Sequence, residues 1–119
     1  MAPESKSSWA KSSPELVERF GRVLDHFPEV ERRKMFGYPA AFVGGNMVTG
    51  LHQESWVVRL GADEQAAAMT DGASTFEPMA GKPMKNFVAL PESVLADDDA
   101  LETWVRRAVE HGRTLPSKS

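Results

Sequence analysis

The stretch from Ala40 to Leu60, AAFVGGNMVTGLHQESWVVRL, limits the fold more than any other part of the chain. Three short apolar runs are parted by Gly44-Gly45 and by the polar HQES. A diglycine between apolar runs marks a tight hairpin, because type I′ and II′ turns need positive φ. The runs Ala40 to Val43, Asn46 to Leu51 and Ser55 to Leu60 therefore predict an antiparallel meander. In the third run Trp56, Val58 and Leu60 fall on one side, and Val57 and Arg59 on the other. That alternation predicts a sheet with one buried face.

Helices are expected on either side of the meander. Ser13 is a natural N-cap, Pro14 suits the first helical position, and Leu16, Phe20, Val23, Leu24 and Phe27 recur at helical spacing before Pro28. A shorter helix is expected from Asp63, as its cap, to a terminating Gly72. A loop follows, with Phe76 plugging the core, and then a strand from Met84 to Leu90. The last helix starts near Asp97 and carries Leu101, Trp104, Val105, Ala108 and Val109 on one face. The expected architecture is α+β, in the order α-β-β-β-α-β-α with one further short strand allowed in the 74–80 loop. The helices pack on the apolar face of an antiparallel sheet. Residues 1–12 read as a flexible leader, 13–113 as one domain and 114–119 as a flexible tail. Trp9 is the one large aromatic in the leader and is expected to fold back on the domain.

Several chemistries lack their residues. There is no cysteine, which removes disulfides, thiol catalysis and thiolate metal sites and fits a cytoplasmic protein. No apolar run is long enough to span a bilayer. Gly37, Gly44 and Gly45 open no helix, so they form no phosphate-binding loop. His26, His52 and His111 have no metal-ligand spacing. No nucleophile elbow is present. The sequence thus names no catalytic, cofactor-binding or metal-binding residue, and it favours a domain that is not an enzyme.

The basic positions give an alternative. Arg32, Arg33 and Lys34 precede the meander, Arg59 lies on its third strand, and Lys82 and Lys85 flank the later one. Arg33, Lys34, Arg59, Lys82 and Lys85 could form a stripe for weak nucleic-acid binding. The net charge of −3 weighs against a partner held through its phosphates. A third reading is a ligand pocket or enzymatic site near Trp56, His52 and Glu54, which requires those groups to converge.

The segments RRKMFGYPAAFVGGNMVTGL, WVVRL, GKPMKNFVALP and LETWVRRAVEHG resemble, in order and spacing, the N-terminal domain of TfoX-type competence regulators. The resemblance covers about residues 14–113. Its marks are Met35-Phe36-Gly37, the Gly44-Gly45 turn, Lys82-Pro83-Met84 and Trp104. It implies a secretion-chaperone-like α+β fold, standing here as a single domain, with a regulatory role and self-association as a homodimer. A protein partner is the expectation, without cofactor or membrane. Structural need accounts for the first mark: Met35 and Phe36 are expected to pack on the first helix while Gly37 permits a bend.

Overall fold

The computed structural model describes residues 12–35, 37–77, 81 and 84–117. Trp9, Phe36, Lys82, nearly all of the expected leader and the last two residues lie outside them. Ser13 Oγ accepts the Leu16 N–H at 3.2 Å and caps α1, Pro14–Leu24, which buries Leu16, Phe20, Val23 and Leu24. The helix ends before the expected Phe27. Pro28 disfavours helical geometry in the residue before it. The chain tightens instead, with Phe27 N–H donating to the Leu24 carbonyl at 2.9 Å. Phe27 still reaches the core.

Gly21 lies mid-helix in α1 with no atom within 4 Å of where a Cβ would stand. Gly21→Ala is therefore expected to stabilise the domain by about 0.5–1 kcal/mol. The gain is read as a raised urea midpoint at unchanged slope.

Among the described residues six strands follow in one antiparallel sheet: β1 (Glu31–Met35), β2 (Tyr38–Val43), β3 (Asn46–His52), β4 (Ser55–Arg59), β5 (Ser74–Thr75) and β6 (Phe87–Ala89). Their spatial order is β1-β2-β3-β4-β6-β5. The meander and the further short strand stand as expected, and Gly44 and Gly45 turn the β2–β3 hairpin at φ 58° and 84°. The strand β1 was not foreseen. Its first four residues, ERRK, are exposed, so no apolar alternation marks it. Charged side chains are what a sheet edge uses to discourage a second chain from pairing there. The later strand is shorter than expected, since Lys85 and Asn86 form a turn, with Asn86 at φ 71°.

Between β4 and β5 runs α2, Ala62–Thr70, capped at Gly61 rather than Asp63. After β6 come α3, Glu92–Leu95, a turn the sequence did not announce, and α4, Asp98–Arg113. Asp97 caps α4 by accepting from the Asp99 and Ala100 N–H groups at 3.0 and 3.2 Å. Arg19 of α1 ties this end together, donating to the Leu95 carbonyl at 2.7 Å and to Asp98 at 2.8 Å.

The buried apolar residues of α1, α2, α3 and α4 join one core with Ala41, Val48, Leu51, Trp56, Val58 and Val88 of the sheet. A β-bulge helps fill it. Ala41 pairs with Thr49 and Phe42 with Met47, leaving Val48 as the extra residue. Val48 and Thr49 are both fully buried. Two expectations need correction here. Met35 pairs with Tyr38 on the side away from α1 and lines a cleft there rather than packing on that helix. Phe76 joins Val57 and Phe87 in a second, smaller cluster instead of plugging the main core. The sheet therefore holds apolar side chains on both faces, and its helices cover one.

Candidate functional site

Strand pairing fixes what the helix-free face presents. Cross-strand partners share a face. Arg33 with Ala40, Met35 with Tyr38, Phe42 with Met47 and Arg59 with Phe87 thus lie on one side, with His52 and Val57. No helix of the described residues packs there. At its centre Met35, Tyr38, Met47, His52, Val57 and Phe76 surround a cleft of about 80 Å³, edged by Met84. The His52 ring sits between Tyr38 and Phe76, its centroid 5.1 and 5.4 Å from theirs. Gly50 makes room for Met47, whose terminal methyl stands 2.5 Å from where a Gly50 Cβ would be. Met84 is 36% exposed, while Met35 and Met47 are half-buried. Unbranched thioether side chains can repack around different contacts.

Two arginines flank the cleft over aromatic rings. The Arg33 guanidinium carbon lies 4.9 Å from the Phe42 centroid, and that of Arg59 lies 5.5 Å from Phe87. Their electrostatic surroundings differ. Arg33 donates to both oxygens of Glu31 at 2.9 and 3.0 Å. Those bonds hold the Glu31 carboxyl below the usual glutamate range and push Arg33 up. A carboxyl lowered in the folded state stabilises above its unfolded value, and the contribution is lost as pH falls through the folded one. A carbon-detected NMR titration should thus find the Glu31 midpoint below the ordinary one, and Arg33→Gln should return it. The pair is solvent-exposed, so its share of stability is small. Arg59 has no such partner among the described residues. Its Nη1 reaches the Met47 carbonyl at 3.4 Å, and its buried Nε finds no acceptor.

The basic positions expected to form a stripe are therefore divided. Arg33 and Arg59 share the uncovered face; Lys34 is exposed on β1 with the opposite parity, and Lys85 lies in an exposed turn. Lys82 is outside the described residues. The proposed convergence of Trp56, His52 and Glu54 does not occur. Trp56 is buried on the helix side, His52 is on the other face, and Glu54 accepts the Ser13 N–H at 2.7 Å at the mouth of α1. Gly37, at φ 85°, joins β1 to β2, and Trp104 is buried in α4 under Arg107.

The larger grooves are lined mostly by charged and polar side chains. One of about 300 Å³ runs between α1 and α4 past Arg19, His26, Asp98 and Glu102. Several of its polar groups already meet: Arg19 and Asp98 stand at 2.8 Å, Arg106 and Glu102 at 2.7 Å, and His26 Nδ1 lies 2.8 Å from Glu102 Oε1. Among the described residues no three His, Asp or Glu side chains gather as a metal site, and no helix is long and apolar enough to cross a membrane.

Sequence reasoning missed that Tyr38, Phe42 and Met47 share the face that no helix of the described residues covers. Their alternation is visible, but the sequence does not tell that helices leave this side open. Against known proteins, the family model for the TfoX N-terminal domain matches residues 22–112 of the 119. No curated protein matches the chain.

Proposed function

The chain belongs to the TfoX N-terminal domain family, and from that premise we propose that it is a regulatory protein-interaction domain working through the uncovered face of its sheet. The observation that carries this reading is the apolar surface on the side without helices: Met35, Tyr38, Met47 and Met84 remain partly open around the cleft. Apolar surface of that kind, rimmed by charge, is characteristic of protein contact sites. The cleft's dimensions point the same way. Sites for cofactors and drug-sized ligands measure about 300–1,000 Å³, whereas this one measures about 80 Å³. It has room for one side chain of a partner. Self-association as a homodimer belongs to the same reading, since a second copy is one protein that such a face could meet.

A nucleic-acid partner has less support. Phosphate-driven binding needs several cations free to release counterions, and Arg32 and Arg33 are engaged with Asp25 and Glu31.

The test is an affinity capture from lysate of the source organism, comparing the wild type with Met47→Lys and with Arg107→Gln on the helix side. The lysine stem preserves much of the methionine's packing while placing a charge at the cleft. Proteins retained by the wild type and Arg107→Gln but lost with Met47→Lys are expected. Identical capture by all three would refute the assignment of the face. Sedimentation velocity of the same proteins decides self-association, which Met47→Lys should weaken if the face mediates it.

A further inference from the structure

Among the described residues, the uncovered face carries a charge that no carboxylate answers. Arg19, Arg32, Arg33, Arg106 and Arg113 each hold a carboxylate. Arg22 and Arg107 hold none among the described residues but lie on α1 and α4, on the helix side. Among the described residues, Arg59 is the arginine that stands without a carboxylate among the apolar residues of the open face. A guanidinium has five N–H donors, and the bond Arg59 makes among the described residues is the 3.4 Å contact to the Met47 carbonyl. Half-burial against Phe87 has already removed part of its water. The strand residues of this face include one carboxylate, Glu31, and Arg33 occupies it. The face is thus positive at Arg59, although the chain as a whole carries −3.

We propose that Arg59 anchors a carboxylate of a partner protein whose neighbouring apolar side chain enters the cleft beside Val57. This rests on the interaction reading above and names the partner's chemistry. Charge complementarity selects an acidic group, since planar bidentate pairing with a carboxylate is what a guanidinium favours. Spacing selects the rest. Arg59 and Val57 are two residues apart on β4 and face the same side, about 7 Å from one another. An extended segment repeats its own side chains at that interval. The recognised feature is therefore Asp or Glu two positions from Leu, Ile, Met or Phe in an extended stretch.

A phage-displayed library of random peptides, selected on the full chain, tests this directly. Enriched peptides should carry the acidic–apolar alternation and lose binding with Met47→Lys. Arg59→Gln should weaken them by about tenfold or more, as expected for a lost charge-assisted bond, with Arg59→Lys intermediate and Arg33→Gln nearly silent. Thermal melting of each variant confirms that it is folded. Peptides that need Met47 but carry no carboxylate, or that ignore Arg59→Gln, would overturn the anchor and leave the interaction face standing. No peptide dependent on Met47 would overturn both. A wild-type dimer that Met47→Lys dissolves and that excludes the peptides would assign the face to a second copy instead. Displacement by a single-stranded oligonucleotide would replace the partner with a nucleic acid.

Discussion

Trp56→Ala is expected to destabilise the domain by about 3–5 kcal/mol. Trp56 is fully buried, and its ring lies 5.0 Å from that of Phe20, joining β4 to α1 at the centre of the core. Its removal takes away the largest fully buried side chain and leaves a cavity that two secondary-structure layers cannot easily close. A polar element is lost as well. The indole N–H donates to Thr49 Oγ1 at 2.9 Å, and that hydroxyl donates to the Val57 carbonyl at 2.8 Å. Thr49→Val keeps the shape but strands the indole N–H, at a cost of about 1–3 kcal/mol. The ranking follows: loss of packing outweighs loss of the relay. Since domains are commonly stable by only about 5–15 kcal/mol, Trp56→Ala should move the urea midpoint sharply when followed by far-UV circular dichroism. A midpoint within experimental error of wild type would mean that Trp56 is not the centre of this core. The residue belongs to the helix side, so peptide binding at the open face should survive at temperatures where the variant remains folded.

How much of this was legible in the sequence depended on whether a residue's neighbours were local. Leu16, Phe20, Val23 and Leu24 declared α1 because a helix is its own context, and Ser13 and Pro14 marked its start. Gly44-Gly45 declared the hairpin for the same reason. The strand β1 stayed hidden, since an edge strand with exposed ERRK has no buried side to leave a pattern. The side on which Met35 falls was misjudged because parity follows from pairing with Tyr38, a fact of register. Arg59 was noticed as a basic residue on the outer side of its strand. That it would stand over Phe87 required the pairing of β4 with β6, across α2 and the loop after it. Its lack of a carboxylate among the described residues depends on where the acidic groups fall in space, which only the folded chain supplies. Alternation told which residues shared a side, while the arrangement of the helices told which side was left open.

Gly112→Ala is expected to destabilise by about 1–3 kcal/mol, opposite in sign to the same replacement at Gly21. Propensity alone predicts a gain, because glycine within a helix costs about 1 kcal/mol relative to alanine. The surroundings reverse it. A Cβ on Gly112 would stand 2.3 Å from Val48 Cγ1 and 3.4 Å from Val43 Cβ. Neither neighbour can yield cheaply. Val48 is β-branched, fully buried and placed in the bulge of β3, so its methyl has few alternative rotamers. The remaining adjustment is for α4 to withdraw from the sheet. That would also strain the segment beyond the helix, where Asn46 donates to the Pro116 carbonyl at 2.9 Å. A double-mutant cycle isolates the contact. Val48→Ala alone opens a cavity and destabilises, but in the Gly112→Ala background the smaller side chain relieves the clash. The two changes together should therefore cost less than the sum of their separate effects. Strict additivity in the urea midpoints would show that α4 does not approach β3 as closely as the glycine permits.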